Sequence, residues 1–176
     1  ILMVHHMDGK LPSGRSQLYE RYIKGMLDLW DSKGKIPETI KLQENVKRKI
    51  LKQLAIELSD KDVEGISDEN MKKFINIALK NIGIKYKAKD VISYFKERTG
   101  LIVGPGTWSF NHKSIGEYLM AEAVHDGNHC DREGRKIDRY RLFQERHNDR
   151  WNNILFFWAG VTSPSNLQEF VDGLCA

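Results

Sequence analysis

Cysteine is nearly absent from this sequence, because its 176 residues include only Cys130 and Cys175. The two lie far apart and match no disulfide framework. A chain of this length buries roughly 70% of the surface that it exposes when unfolded, so a core can form without disulfides or a metal. We therefore expect reduced thiols in a cytoplasmic protein.

Long apolar runs are also absent. The longest, residues 154–161, is far shorter than the roughly 20 residues that span a bilayer, so no membrane partner is expected. Residues 1–8 lack the basic region of a secretion signal. They begin on apolar residues without a methionine, which predicts that the chain is a piece of a longer protein, cut within a helix.

The motifs of common catalytic sites are missing too. No G-x-x-x-x-G-K-[ST] segment is present to cradle a phosphate, and no predicted strand ends in the acidic cluster that would hold Mg²⁺. Ser109 and Ser114 flank His112, but no acidic residue at a suitable spacing completes a hydrolytic triad. The sequence therefore predicts no catalytic residue.

One cluster raises the question of a zinc site, and it consists of His125, His129, Cys130 and Asp131. Gly127 interrupts the predicted helix between the two histidines. No second pair of ligands follows at zinc-finger spacing. We therefore predict no metal ligand.

The composition is that of a folded domain, with 40% hydrophobic and 30% charged residues. Apolar residues recur at helical spacing in most segments. The predicted helices cover residues 16–30, 42–58, 67–82, 89–98, 114–124, 137–146, 151–159 and 165–174. Ser16 is expected to cap the first helix, whose predicted buried face consists of Leu18, Tyr22, Met26, Leu29 and Trp30. Turns are expected at residues 11–14 and 32–37, the second as a subdomain boundary, and a polar loop at 126–135.

A β-hairpin interrupts this helical pattern. Residues 101–103 and 107–110 read as strands on either side of the turn Gly104-Pro105-Gly106. Three helices followed by a hairpin is the order of a winged helix. The predicted fold is therefore mainly α, with helical subdomains around a winged helix that has one short β-hairpin.

His112 lies where the hairpin ends and the next helix begins. Free backbone N–H groups in the first turn of a helix favour anions. We therefore interpret His112 as the contact for a nucleotide phosphate that another part of the protein holds; the alternative is a capping or half-buried histidine without a ligand. Further along the same helix, Glu117 is expected to be solvated, and the alternative is that it orients His112 or pairs with a basic residue. Tyr118 and Leu119 are expected in the core. Arg15 is expected at the surface, and the alternative is a contact with the nucleotide domain.

The segment Phe110-x-His112-x-x-Ile115-x-Glu117-Tyr118-Leu119-x-Ala121 resembles the winged-helix signature of the NACHT-family (STAND-class) signalling ATPases, which include NOD-like receptors and bacterial defence proteins. Four further segments resemble elements of that family in the same order. They are Leu11-Pro12-x-x-Arg15-x-x-Leu18-Tyr19-Glu20, Leu51-x-x-Leu54-Ala55, Phe95-x-x-Arg98-Thr99-Gly100-Leu101-Ile102 and the stretch from Trp151 to Gly160. Gly116 and Met120 depart from the family pattern and are expected to affect packing only.

The resemblance implies the end of a first helical domain over residues 1–35, a winged helix over 36–125 and the start of a second helical domain over 126–176. It implies that ADP or ATP, with Mg²⁺, binds mainly to an upstream P-loop domain and that His112 contacts the β-phosphate. The implied partners are that nucleotide domain, further copies of the protein on activation, and effector and sensor domains. The implied role is defence signalling, which in bacteria would act against phage. The resemblance assigns ATP hydrolysis to the whole protein, and this chain alone is expected to be inactive.

Two other readings come from the residues. A DNA-binding winged helix would use helix 89–98 and the wing tip 104–106, but that helix offers few base-reading side chains, so nucleic acid is not an expected partner. The basic residues that favour this reading are Lys47, Arg48, Lys49, Lys52, Lys85, Lys87, Lys89, Lys96 and Arg98. An interaction scaffold would use the aromatic cluster Trp151, Phe156, Phe157 and Trp158, which is otherwise expected to pack internally.

Overall fold

The structure is a computed structural model that describes residues 14–28, 42–61 and 63–175. Three sequence predictions lie outside these residues. They are the turn at residues 11–13, the break at 32–37, and the burial of Leu29 and Trp30.

Most of the described chain is helical. The helices are α1 (Arg15–Asp28), α2 (Glu44–Asp60), α3 (Asp68–Ile82), α4 (Ala88–Tyr94), α5 (Lys113–Asp126), α6 (Arg139–Gln144), α7 (Asn152–Val161) and α8 (Pro164–Cys175). A π-helical turn over Phe95–Thr99 extends α4, and a 3-10 turn over Asp149–Trp151 leads into α7. The predicted mainly α fold is confirmed.

The predicted hairpin is also confirmed, and it forms the wing. Strand β2 (Ile102–Val103) pairs antiparallel with β3 (Thr107–Phe110), with Ile102 opposite Phe110. A short strand before α3, β1 (Ile66–Ser67), pairs with the other edge of β3. The wing is therefore a three-stranded sheet in the order β1-β3-β2, which the sequence did not predict.

A second ribbon begins within the region predicted as a polar loop, 126–135, and ends just after it. Strands β4 (His129–Cys130) and β5 (Lys136–Ile137) pair antiparallel, and Gly134 takes a positive φ of 77° in the turn between them. The predicted start of the next helix at Ile137 was therefore wrong. That helix begins at Arg139, because the Asp138 carboxylate accepts hydrogen bonds from the backbone N–H groups of Tyr140 and Arg141.

The first helix differs from its prediction in its start and its buried face. Ser16 lies inside α1 and is buried, and its hydroxyl donates to the Phe157 carbonyl of α7 at 3.2 Å. It is therefore not the N-cap. Ile23 and Leu27 are fully buried, whereas Tyr22 and Met26, predicted to be central, lie at the edge of the core.

Helix α2 buries an apolar stripe, and of its basic residues Lys47, Arg48, Lys49 and Lys52 only Lys49 is exposed. Lys47 is 2% exposed and donates to the Leu27 carbonyl at 3.3 Å. The Arg48 guanidinium lies between the carboxylates of Glu20 and Glu122. Long side chains beside an apolar stripe can bend across it and place their charged ends against a neighbouring helix. For this reason the spacing of Lys47 and Arg48 in the sequence did not reveal their contacts with other helices.

The corner between α3 and α4 follows the sequence closely. Ser67 caps α3 by accepting from the Asn70 backbone N–H at 3.4 Å. Gly83 ends α3 with a positive φ of 76°, and the N–H of Ile84 returns to the Leu79 carbonyl at 3.0 Å. This is the hydrogen-bond pattern of a glycine-terminated helix, and it fixes the direction in which α4 leaves.

Helix α5 lies at the centre of the molecule. Nine of its fourteen residues are buried, and it packs against α1, α2 and α7. The Tyr118 ring lies 5.5 Å from that of Phe157. The predicted internal packing of the aromatic cluster holds for Trp151, Phe157 and Trp158, while Phe156 is 57% exposed. In the part of the chain that the structure describes, no helix is long and apolar enough to cross a membrane.

Replacing Arg48 with methionine tests the ionic contact between α1, α2 and α5. The carboxylates of Glu20 and Glu122 would then lose the guanidinium between them, and only Lys52, whose Nζ lies 3.6 Å from Glu122 Oε2, would remain as a cation nearby. We expect a loss of about 2–3 kcal/mol in the free energy of unfolding, less than for a fully buried pair because Glu20 is partly exposed. Urea denaturation measures it. Adding Glu20→Gln and Glu122→Gln should recover part of the loss, and no recovery would mean that packing alone explains the effect.

Asp68 joins the wing to α3 and should make the stability depend on pH. Its Oδ1 accepts from the Trp108 indole N–H and, at 3.2 Å, from the Gly106 N–H, and the Trp108 hydrogen bond holds the pKa of the carboxyl below its usual value. A depressed pKa stabilises the fold above the unfolded-state pKa of about 4, and this contribution disappears as the pH falls through the folded-state pKa.

We therefore expect Asp68→Asn to flatten the dependence of the unfolding free energy on pH below about 5. Urea denaturation followed by tryptophan fluorescence across this pH range measures it. Identical pH dependence in the wild type and the variant would contradict the role of Asp68.

Candidate functional site

His112 is the residue at which the wing ends and α5 begins. Its backbone is extended, with φ −139° and ψ 130°, and its carbonyl accepts from the Ile115 N–H at 2.9 Å. Its imidazole is exposed and caps no backbone group of the helix. The alternative of a capping or half-buried histidine therefore does not describe this side chain.

Both neighbours of His112 are held by regular structure. On the wing side, Asn111 donates its backbone N–H to the Leu101 carbonyl at 2.9 Å, which continues the ladder of β2 and β3. On the helix side, Ile115 is 1% exposed and anchors the first turn of α5 in the core. The backbone of His112 is thus fixed from both directions, while its ring stays accessible.

The electrostatics at this helix start suit an anion. The first turn of α5 contains no acidic residue, and the exposed Lys113 follows His112 directly. The initial N–H groups of a helix lack intrahelical partners and carry a partial positive charge. Neutral or charged imidazole, an ammonium group and backbone N–H groups can all donate to phosphate oxygens. They form a donor set for an anion rather than for a metal ion.

A cavity of about 380 Å³ opens beside this helix start. Its walls come from α2 and the loop after it, β3, α5 and the start of α7. Glu117 is among the lining residues and is 8% exposed, so the prediction of a solvated glutamate was wrong. Its Oε1 accepts from Asn153 Nδ2 at 3.3 Å, which links α5 to α7.

The two departures from the family pattern have a structural explanation. Gly116 lies under the Phe110 ring, and a Cβ at this position would be 2.7 Å from Phe110 Cδ2. Met120 is 1% exposed and fills the core. Both positions therefore affect packing, as expected, and the missing side chain at Gly116 lets the last residue of the wing lie directly on α5.

Tyr118 and Leu119 are both in the core, as predicted. The Tyr118 hydroxyl donates to Glu20 Oε2 at 2.8 Å. Burial, together with the charges of Glu122 and Glu20, raises the pKa of this phenol, so it remains a donor at physiological pH. Burial alone would raise the pKa of Glu20, but the neighbouring Arg48 lowers it below its usual value.

The histidine and cysteine cluster after α5 makes structural contacts. His129 Nε2 lies 3.4 Å from Asp126 Oδ2, and Asp131 pairs with Arg135. Burial lowers the pKa of His129, although Asp126 opposes this effect. Cys130 is a free, exposed thiol. Among the described residues, no three His, Cys, Asp or Glu side chains converge as metal ligands.

The remaining candidate residues whose side chains the structure describes lie at the surface. Arg15 is exposed, as expected, and its guanidinium carbon lies 4.7 Å from the centroid of the Phe157 ring. In the helix proposed to read DNA, Lys89 and Lys96 are exposed, and the Arg98 side chain lies outside the described part. Sequence reasoning missed Glu20 and Glu122, because nothing in their local pattern reveals a shared partner on α2.

A known protein family matches the part of the chain that contains His112 and the wing. Residues 15–124 match the model of a protein family described as a winged helix-turn-helix domain C-terminal to NACHT. The matched stretch includes α1 and ends within α5. No curated protein and no solved structure matches the chain significantly.

Gly116→Ala tests how the wing is seated on α5. The new methyl group would overlap the Phe110 ring, so we expect a loss of about 1–3 kcal/mol in the free energy of unfolding, measured by urea denaturation. The same Gly116→Ala change should cost less free energy of unfolding in a Phe110→Leu background than in the wild type, because the smaller leucine leaves room for the methyl group. An equal cost in both backgrounds would contradict a direct contact between Gly116 and the Phe110 ring.

Proposed function

The chain belongs to the family of winged helix-turn-helix domains that lie C-terminal to NACHT, and we propose that it is the regulatory part of a nucleotide-dependent signalling switch. In this switch, His112 contacts a phosphate of the ADP that the NACHT domain of the same protein holds. The chain then links the nucleotide state to the position of the winged helix. The proposal also gives the protein a role in defence signalling, with effector and sensor domains as partners.

One observation carries this proposal. His112 presents an exposed imidazole from a fixed backbone, at the start of a helix that is buried along most of its length. A side chain in this position can reach an external anion without any rearrangement of the domain around it. Pre-organised donors of this kind favour binding because little conformational freedom is lost.

The donors at the site fit a phosphate. Lys113 and the first N–H groups of α5 supply positive charge, the His112 ring supplies an N–H donor, and no carboxylate lies in the first turn. We therefore propose that these groups hold only the phosphate, whereas Mg²⁺ and the rest of ADP or ATP belong to the NACHT domain. In this proposal ATP hydrolysis also belongs to that domain.

The expected energy suits a switch. A hydrogen bond to a charged group contributes about 1.5–3 kcal/mol, or roughly 10- to 150-fold in affinity. This is sufficient to bias an equilibrium between a closed, ADP-bound form and an open form that assembles into oligomers. Exchange of ADP for ATP would release the contact and free the winged helix.

The division of the chain is part of the proposal. Residues 1–35 would end a first helical domain, residues 36–125 would form the winged helix and residues 126–176 would begin a second helical domain. In the described residues, α1 contacts α7 as well as α5, through Ser16 and the rings of Tyr19 and Phe157. The two helical parts would therefore be able to move with the winged helix as one unit.

His112→Ala tests the proposed contact in the protein expressed together with its NACHT domain. We expect the ADP content after purification to fall and the rate of ADP dissociation to rise by roughly 10- to 100-fold. Nucleotide released by denaturation and quantified per chain measures the first quantity. A fluorescent ADP analogue measures the second.

The matched control is His125→Ala. His125 is also exposed and lies near the other end of α5, about 20 Å away along the helix axis. We expect this variant to retain ADP like the wild type. Equal ADP content and dissociation in His112→Ala and the wild type would exclude the proposed contact.

A further inference from the structure

The exposed lysines at the corner between α3 and α4 form a surface of one charge sign. Ten residues, 80–89, contain four lysines and no acidic residue. Over the wider range 71–112 there are eight basic and two acidic residues, a net charge of +6, whereas the whole chain carries +4. Positive charge is therefore concentrated in this part of the winged helix. We call Lys80, Lys85, Lys87 and Lys89 the basic corner.

The structure separates these lysines from three of the four basic residues of α2. Arg48 and Lys52 of α2 are engaged with carboxylates, and Lys47 is buried. In contrast, all four side chains of the basic corner are exposed. None of the four forms an ion pair with any residue that the structure describes.

The backbone that presents the basic corner is well defined. Burial alternates over residues 84–87, with Ile84 and Tyr86 packed against the core and Lys85 and Lys87 pointing outward. This alternation is the pattern of an extended segment, in which outward residues two apart are about 6–7 Å from each other. A row of lysines with this spacing suits a chain of regularly repeated negative charges.

We propose that the basic corner binds the phosphate backbone of nucleic acid without sequence preference. Interfaces between proteins are poor in lysine and have an apolar centre, whereas nucleic-acid interfaces are polar and strongly positive. Few base-reading side chains lie on α4 and the π-helical turn that extends it, because Val91, Ile92 and Phe95 are buried. Phosphate contacts therefore supply the affinity, with a dissociation constant of about 10⁻⁴–10⁻⁶ M at physiological salt.

This inference differs from the expectation that nucleic acid is not a partner. That expectation treated the basic residues of α2 and of the α3–α4 corner as one group. The structure assigns Lys47, Arg48 and Lys52 of the first group to contacts inside the protein, whereas the lysines of the basic corner face solvent. The inference does not depend on His112 or on nucleotide binding.

The experiment measures binding of the full 176-residue chain to a fluorescein-labelled 20-base-pair DNA duplex of random sequence, by anisotropy at several salt concentrations. The test variant combines Lys85→Gln, Lys87→Gln and Lys89→Gln. We expect its affinity at low salt to fall roughly tenfold or more. The slope of log affinity against log salt should decrease in magnitude by about 3, one for each lysine.

The control variant combines Lys24→Gln, Lys49→Gln and Lys136→Gln. These lysines are also exposed, so both variants reduce the net charge from +4 to +1. The control should bind nearly as well as the wild type. Equal losses in the two variants would assign the binding to net charge and overturn the proposal, as would no binding to the duplex at low salt.

Polyglutamate of matched charge serves as a competitor. Weak competition compared with unlabelled duplex supports recognition of the phosphate backbone. Competition as strong as that of the duplex would show a general preference for acidic polymers, including acidic proteins, and would overturn the proposal.

Discussion

The burial of α5 on nearly all sides is the constraint on which the rest of the structure depends. Nine of its fourteen residues are buried, so α1, α2 and α7 must each present a complementary face to it. Apolar packing supplies most of the stabilisation, and the Arg48–Glu122 ion pair sets how α2 and α5 lie against each other. Since this helix cannot shift without opening the core, the residue just before it, His112, has a fixed position.

The two ways in which this domain would bind anions differ physically. At the start of α5, a single imidazole on a fixed backbone gives a directional contact, suited to one phosphate in one place. At the basic corner, flexible lysines give a diffuse field, suited to a polymer whose charges need no exact register. The first arrangement responds to a nucleotide state, whereas the second depends strongly on salt concentration.

Much of the fold could be predicted from local patterns. The helix start at Ser67 and the hairpin around residues 104–106 both depend on neighbours within a few positions. Errors arose where distant residues decide. Ser16 looks like a cap in sequence, but it is the second residue of α1, and its hydroxyl donates to the Phe157 carbonyl of the distant α7. The ribbon of β4 and β5 pairs too few residues to leave a clear pattern.

The sequence by itself determined the mainly α fold, the winged-helix order and the position of His112 at the start of a helix, because periodicity and turn residues act over short distances. Only the tertiary structure decided that Glu117 is buried and that Lys47 and Arg48 of α2 face inward while the lysines of the α3–α4 corner face solvent. A long charged side chain has the same sequence pattern in both environments. Its role depends on whether a carboxylate from another helix lies within reach, which is a matter of packing.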